Sequence, residues 1–178
     1  RVRRQRQMCI RDSDWDARFK EFEAYCDKYR GMNGPGGYDC AVAVSGGKDS
    51  LLLLYGLKLY QRFSKTPYEL IGVLLDLGIS GQDYGPVQAW AKEIDVPLEI
   101  IKTDIGEIVF HVRQESHPCA LCAKFRRGAL NDAAKERGCN LVALGHNRDD
   151  VLETFFLSLI YESRLNTFGP VTHLSRKD

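Results

Sequence analysis

The sequence predicts an α/β fold built on a doubly wound parallel sheet. Short apolar, β-branched stretches alternate along the chain with longer stretches of helical spacing, a pattern typical of parallel strands joined by crossover helices. A glycine turn directly follows the first apolar stretch, at the position where sheets of this kind bind ligands. The 178 residues suffice for one domain with its own core. We therefore assign residues 14–178 to a single domain.

The expected elements follow in order from these periodicities. Strands are predicted over residues 39–44, 69–76, 97–101 and 141–145. Helices are predicted over residues 14–30, 50–63, 86–94, 103–114 and 119–137, with a loop and then a helix over 146–163. The first helix carries an aromatic stripe, which we expect to pack against the sheet. The helix over 50–63 is apolar nearly all round at its start, which indicates burial.

The turn after the first strand reads S-G-G-K-D-S and spans residues 45–50. Free backbone N–H groups and the positive end of a helix dipole converge in such a turn, which favours anions. Gly46 and Gly47 allow a phosphate to approach the backbone closely, and Lys48 adds a positive charge. This segment is therefore a candidate phosphate-binding loop.

This loop is not a Walker A loop. In a Walker A loop a serine or threonine follows the lysine, whereas here Asp49 follows Lys48. A carboxylate beside a phosphate is repelled unless a cation lies between them. Asp49 therefore indicates a bound Mg²⁺, with Ser45 and Ser50 donating to phosphate oxygens. The alternative is a plain strand–turn–helix junction in which Asp49 is only a charge in the first helical turn.

The pattern S-G-G-x-D-S resembles the PP-loop of the N-type ATP pyrophosphatases. This resemblance implies a Rossmann-like fold of the adenine nucleotide alpha hydrolase-like (HUP) type, with residues 45–50 binding ATP. Members of that superfamily cleave ATP between its α and β phosphates and transfer AMP to a carbonyl oxygen. A nucleophile then displaces the AMP. The resemblance thus implies ATP and Mg²⁺ as cofactors and a catalytic role for Asp49.

A C-x-x-C pair, Cys119 and Cys122, opens the helix predicted over 119–137. Thiols three residues apart lie on one helix face and can share a metal or form a disulfide. One pair supplies only two ligands, whereas zinc or an iron–sulfur cluster needs more. A redox dithiol and two packed cysteines are the alternatives. A basic cluster follows on the same helix and suits either RNA phosphates or a solvated face: Lys124, Arg126 and Arg127.

The segment G-H-N-R-D-D, residues 145–150, follows the last predicted strand. Asp149 or Asp150 can help to hold Mg²⁺, or can simply favour the helix N-terminus. Gly145 and His146 are expected beside the nucleotide, with His146 orienting a phosphate or the RNA, and Arg148 on a phosphate or at the surface. Asp76, at the end of the second strand, is predicted either to face the nucleotide or to cap the turn.

The C-x-x-C-x-x-x-R-R-G, L-G-H-N-R-D-D and T-F-F-L segments resemble the tRNA 2-thiocytidine biosynthesis proteins, from about residue 38 to 178. This resemblance implies cytidine 32 of a tRNA anticodon loop as substrate and a persulfide or similar sulfur donor. It implies that Cys119 and Cys122 are catalytic and bind a 4Fe-4S cluster whose third cysteine lies beyond residue 178. The chain departs from the family pattern at Asn147, where many relatives have histidine, and in the loop 77–86.

Three rival functions stay open at this point. A related enzyme can thiolate uridine with the same ATP-binding loop and cysteine pair. A PP-loop ligase that inserts nitrogen would need ATP but not the cysteine pair. A metal- or redox-sensing RNA-binding module would keep the fold and lose the chemistry.

The formal charge of +1 conceals an uneven distribution. Residues 1–13 hold five Arg and one Asp, and the body without them has 20 basic and 23 acidic side chains. Any RNA footprint must therefore be local. We interpret residues 1–13 as a non-native assembly artefact, because Met8–Ser13 resemble a translated sequencing adapter; a basic RNA-binding arm is the alternative.

Absence of a secretory signal and of long apolar runs favours a cytoplasmic protein with reduced thiols and no membrane partner. The chain closes without an apolar strand or helix, so we expect a fragment truncated at its C-terminus. A homodimer is compatible with the sequence.

Overall fold

The computed structural model describes residues 20, 39–62, 64, 67–79, 81–113 and 118–172. In these ranges four parallel strands form one sheet in the order β3-β2-β1-β4. The strands are β1 (Cys40–Val44), β2 (Leu70–Asp76), β3 (Leu98–Lys102) and β4 (Leu141–Ala143). The predicted fold class is confirmed. The segment 1–13 and, apart from Lys20, the helix predicted over 14–30 lie outside the described residues.

Five helical elements connect or follow these strands in the described ranges. They are α1 (Lys48–Tyr60), α2 (Gly85–Glu93), α3 (Ile105–Glu107, continuing as a π-helix over Ile108–Arg113), α4 (Pro118–Glu136) and α5 (Arg148–Glu162). The helix predicted over 103–114 is therefore a short α-helical turn followed by a π-helix. The other predicted helices outside the first segment are present, with ends shifted by one to three residues.

The two faces of the sheet bury different side chains, because successive residues of a strand point to opposite sides. On one face, Val42 and Leu74 pack with Leu54 of α1, and α2 contributes to the same cluster. On the other face, Ala41 and Ile71 pack under the small side chains Ala133 and Ala134 of α4. Helices α1 and α4 therefore cover opposite faces of the sheet.

The expectation that α1 is buried nearly all round is wrong. Leu54 is fully buried, but Leu52 is 69% exposed and Tyr55 42% exposed. A helix laid on a sheet turns only one side toward it, so the apolar residues on its other side stay at the surface.

The packing of helix α5 leaves its apolar side chains at the surface of the described part of the chain. The helix is present as predicted, yet none of its residues is buried within the described part of the chain. Its most exposed apolar side chains include Phe156 at 53%, Ile160 at 67% and Tyr161 at 79%. Among the described ranges, no helix is long and apolar enough to cross a bilayer.

Candidate functional site

The loop between β1 and α1 is held in shape by its own two serine hydroxyls. The Ser50 hydroxyl donates to the carbonyl of Gly47 at 2.9 Å and accepts from the Ser45 amide at 3.2 Å. The two hydroxyl oxygens lie 3.1 Å apart. Ser50 is only 5% exposed, so it holds the loop from inside, which differs from the predicted donation to phosphate. Gly46 has φ +82°, a backbone conformation that other residues rarely adopt.

The same loop leaves backbone donors open at the N-terminus of α1. Gly47 is the N-cap and makes no side-chain capping bond. Within the described residues, the backbone N–H groups of Lys48 and Asp49 donate no hydrogen bond. Orphan amides at a helix start, together with the helix dipole, form a binding site for a phosphate oxygen. The loop therefore fits the phosphate that the sequence predicts there.

Lys48 and Asp49 form an ion pair at the mouth of this loop. The Lys48 Nζ lies 2.8 Å from both carboxylate oxygens of Asp49. That hydrogen bond is the main cause of the raised pKa of Lys48, and the charges of Asp49, Asp150 and Asp149 add to it. Three carboxylates thus act on one exposed cation. Such a set suits a ligand that brings both phosphate and a divalent ion.

The loop between β4 and α5 lies directly against the α1 N-terminus. A Cβ atom on Gly145 would lie 2.8 Å from the amide nitrogen and 2.9 Å from the Cα of Ser50. Because those atoms are backbone, only glycine allows the two loops to approach so closely. The structure thereby brings Gly145 and the phosphate loop together.

Helix α5 begins with a capping box that sequence reasoning missed. The Asn147 side chain accepts from the amides of Asp149 and Asp150, at 2.8 and 3.3 Å, and Asp150 accepts from the Asn147 amide at 2.6 Å. Asp150 is thereby committed to the cap, whereas the exposed Asp149 carboxylate and exposed Arg148 have no side-chain bond within the described residues. The N-x-x-D spacing was the readable signal for this cap.

Asp76 has a role in the turn that follows β2. One carboxylate oxygen accepts from the Gly78 amide at 3.0 Å and from the Tyr84 hydroxyl at 3.3 Å. Burial is the main cause of the raised pKa of Tyr84, and the Asp76 charge and hydrogen bond add to it. Of the two roles predicted for Asp76, the turn cap is the one that these contacts describe.

The cysteine pair lies at the start of α4, with Cys119 exposed and Cys122 half-buried, both as free thiols. Helix α4 has 19 residues, hence a length of about 28 Å. Its second half packs under the sheet and leads into β4. Because β4 runs parallel to the other strands, α4 must run against them.

Its first turn therefore lies at the edge where the strands end, which we call the carboxyl edge. The phosphate loop lies at the same edge. Cys119 and Cys122 thus share an edge with Asp49, although α1 and α4 cover opposite faces.

The described residues offer only part of a metal site. No three His, Cys, Asp or Glu side chains in the described ranges are grouped so that they can hold a metal ion. Two free thiols one helical turn apart fit two ligand positions of an iron–sulfur cluster. Asp49 fits a Mg²⁺ ion that takes its other ligands from phosphate and water. The basic residues Lys124, Arg126 and Arg127 are exposed on the same half of α4.

Curated relatives and solved structures resemble the chain over most of its length. The tRNA-cytidine(32) 2-sulfurtransferases of Alkalilimnicola ehrlichii and Nitrosomonas eutropha are 42% and 40% identical to it over 130 residues. That stretch is 72% of this chain but only 41% and 42% of those proteins, so the chain spans about two fifths of the relatives' length.

Among solved structures, the U34-tRNA thiolase NcsA from Methanococcus maripaludis, with its 4Fe-4S cluster, superposes with a TM-score of 0.62 at 28% identity. The match covers 84% of this chain and 52% of that one. An NH3-dependent NAD synthetase from Campylobacter jejuni superposes with a TM-score of 0.56 at 18% identity, over 78% of this chain and 59% of its own. The latter likeness concerns the fold alone.

The family model of the PP-loop domain matches residues 19–177. That range contains the phosphate loop, the cysteine pair and the β4–α5 loop, which are the three segments assembled at the carboxyl edge. The chain therefore belongs to the PP-loop domain family.

Proposed function

We propose that the protein is an ATP-dependent tRNA-cytidine 2-sulfurtransferase that replaces the C2 oxygen of cytidine 32 by sulfur. The observation that carries this proposal is that a phosphate loop and a free C-x-x-C pair lie at the same edge of the sheet. A nitrogen-inserting PP-loop ligase would have no use for the second feature. The relatives named as tRNA-cytidine(32) 2-sulfurtransferases support the choice of base.

The first step activates the base. The C2 carbonyl oxygen attacks the α phosphorus of ATP, the bond to the β phosphate breaks, and pyrophosphate leaves with its electron pair. The N–H groups at the α1 N-terminus and the Lys48 ammonium stabilise the negative charge on the phosphates. Asp49, released from Lys48 by the arriving phosphate, would hold Mg²⁺, which when bound neutralises the same charge.

The second step replaces oxygen by sulfur. The terminal sulfur of a persulfide-type donor attacks C2 and forms a C–S bond, and AMP leaves with the former carbonyl oxygen. An added thiol then attacks the donor's own sulfur and breaks the S–S bond, so that the base keeps the transferred sulfur and the donor leaves as a disulfide with that thiol. Cys119 and Cys122 would hold two positions of a 4Fe-4S cluster, which when bound supplies an open iron site that can present sulfur. The protein's own residues hold the base beside the α phosphate and keep both thiols at the same edge.

The tRNA is proposed to lie along the first half of α4. Lys124, Arg126 and Arg127 would contact phosphates there, and Arg148 would do so at the start of α5. The target base must leave its stack to reach the carboxyl edge, as in other enzymes that act on a base. The proposal places the reaction in the cytoplasm, and the homodimer remains a prediction.

The test is nucleoside mass spectrometry of tRNA incubated with ATP, Mg²⁺, the anaerobically prepared protein, a persulfide donor and a thiol reductant. We expect 2-thiocytidine with the wild type. Asp49→Ala should abolish AMP transfer, and Cys119→Ala should retain ATP binding but form no thiolated base. Full thiolation by either variant would contradict these roles. ATP consumption with no thiolated nucleoside in the wild type would contradict the function itself.

Uridine thiolation is the second candidate, and one observation favours it. The structure of the U34-tRNA thiolase NcsA covers 84% of this chain. The same mass spectrum separates the two candidates, because 2-thiouridine and 2-thiocytidine differ in mass. Thiolation of uridine alone would replace cytidine by uridine as the proposed substrate and leave the proposed AMP transfer and sulfur transfer at the carboxyl edge unchanged.

A further inference from the structure

The chain turns back on itself after α5. Ser163 ends the helix in a left-handed conformation, with φ 53°. The Arg164 amide then donates to the Ser158 carbonyl at 3.1 Å. Sixteen residues apart in sequence, the Thr167 hydroxyl donates to the Val151 carbonyl at 2.9 Å. Residues 163–168, the return segment, therefore run back along α5 to its first turn.

Phe168 ends the return segment in contact with the site. Residues 161–167 and 169–170 are exposed, whereas Phe168 is half-buried. The centroid of its ring lies 5.1 Å from that of His146, and the two ring planes are tilted by 47°. This separation falls within the range of favourable aromatic pairs. The half-burial of Phe168 thus coincides with a contact on a predicted site residue.

The backbone of His146 is fixed on both sides. Gly145 before it lies against the backbone of Ser50, and Asn147 after it is locked into the capping box of α5. His146 is exposed, and its neighbour Gly145 lies against the first turn of α1, where the phosphate loop leads into the helix. With the backbone fixed, the direction of the imidazole depends on its side-chain torsions, and Phe168 packs against that ring.

We propose that Phe168 is a positioning residue that holds the His146 imidazole where it donates a hydrogen bond to a phosphate oxygen of ATP. Phe168 touches no reacting atom and acts only through His146. The Thr167–Val151 hydrogen bond anchors the backbone from which Phe168 projects. This inference rests on the proposed ATP-dependent function and adds a residue to its site.

A double-mutant cycle on ATP affinity, measured by calorimetry, tests the proposal. We expect His146→Ala and Phe168→Ala each to weaken ATP binding about tenfold, the loss typical of one hydrogen bond to a charged group. The double variant should be no weaker than either single variant, because both changes remove the same contact. Affinity for adenosine, which has no phosphate, should not change.

Companion variants separate positioning from folding. Phe168→Tyr keeps the ring and should retain the ATP affinity of the wild type. Phe168→Leu keeps the apolar volume without a ring and should bind ATP more weakly. Leu165→Ala, at an exposed position of the same segment, is the control and should bind ATP normally. In NMR spectra, the ring-proton shifts of His146 should move in Phe168→Leu and not in Leu165→Ala.

Two results would overturn the inference. The first is that the losses of ATP affinity in His146→Ala and Phe168→Ala add up in the double variant. The second is that Phe168→Leu loses ATP affinity and adenosine affinity equally. A wild type that binds no ATP would instead overturn the proposed function, so the two failures are distinguishable.

Discussion

At the scale of single residues, the site depends on a close approach between two backbone segments and on backbone N–H groups without a partner in the described residues. Gly145 has no Cβ, and this lets the β4–α5 loop rest on the backbone of Asp49 and Ser50. Ser50 turns its hydroxyl inward to Gly47, and the Lys48 and Asp49 amides donate no hydrogen bond within the described residues. The phosphate site is therefore formed chiefly by backbone groups, and side chains keep those groups in place.

Replacing Gly145 with alanine tests this close approach. The new Cβ would lie 2.8–3.0 Å from backbone atoms of Ser50 and Asp49 that no rotamer change can move. We expect the free energy of unfolding to fall by about 1–3 kcal/mol and ATP affinity to fall with it, measured by denaturant titration and calorimetry. Gly56→Ala in α1, where nothing lies within 4 Å of the new Cβ, is the control. It should be neutral or stabilising by up to about 1 kcal/mol. Normal ATP affinity in Gly145→Ala would contradict this account.

At the scale of elements, the two halves of α4 have different roles, because one packs on the sheet and the other is exposed. Its second half is fastened to the sheet: Arg137, just after the helix, donates to both carboxylate oxygens of Glu99 in β3 and to the Ala133 carbonyl. Its first half carries the cysteines and the basic residues toward solvent. The buried half fixes the direction of the exposed half, because a helix transmits its axis rigidly over a few turns.

The Arg137–Glu99 pair makes stability depend on pH. The hydrogen bond from Arg137 holds the pKa of Glu99 below its ordinary value of 4.5, against the opposing effect of burial. Its stabilising contribution is therefore fully present above that value and is lost as the pH falls through the lowered one. Since Glu99 is 45% exposed, solvent screening limits the contribution to about 1 kcal/mol or less.

Glu99→Gln should accordingly be less stable than the wild type at pH 7, and the difference should shrink as the pH falls below 4.5. Thermal unfolding across this pH range measures it. Glu93→Gln at an exposed position of α2 is the control, since Glu93 makes no ion pair within the described residues. A difference that is constant with pH would show that the pair does not cause it.

The exposed half of α4 predicts a local RNA footprint. Changing its basic cluster of Lys124, Arg126 and Arg127 to glutamate should weaken tRNA binding. Each lost phosphate contact should also reduce the slope of log affinity against log salt by about one. Lys135→Glu, on the same helix but toward its sheet-bound end, is the control. Binding assays at several salt concentrations check this; equal effects of the control would place the footprint elsewhere.

At the scale of the whole molecule, two groups of candidate site residues lie on helices that cover opposite faces of the sheet, and both groups lie at its carboxyl edge. Helix α1 brings the phosphate loop from one face, and α4 brings the thiols from the other. The described part of the chain shows no shared ligand between them, since no three metal-ligating side chains group together there. ATP and the cluster should therefore bind independently and be coupled only through the base.

Asp49→Asn should lose ATP affinity and keep the iron content of the wild type in an anaerobic preparation. Cys119→Ser and Cys122→Ser should lose iron and bind ATP normally. Cys139→Ser alters a half-buried thiol packed beside the α4 core, so it should retain both. Calorimetry and iron analysis on the same samples provide the measurement. Loss of iron in Asp49→Asn would show that the two groups of site residues are not independent.

Much of this arrangement was readable in the sequence because it depends on local chemistry. The apolar stretches predicted all four strands, and S-G-G-K-D-S predicted a turn that places backbone amides beside Lys48. The return segment was not readable, because the Phe168–His146 contact joins residues with no periodicity in common. The burial of α1 was overestimated, since apolar spacing shows which residues can be buried and not which surface is there to cover them.

The sequence by itself determined the element order, the phosphate loop and the C-x-x-C pair, and with them the family. Only the tertiary structure decided that Ser50 faces inward, that Asp150 caps α5 and that Gly145 closes on the loop. Local patterns fix what a segment can form, because hydrogen bonding and periodicity act over a few residues. Contacts between distant segments depend on how the sheet brings their ends together, and that depends on the packing of the whole chain.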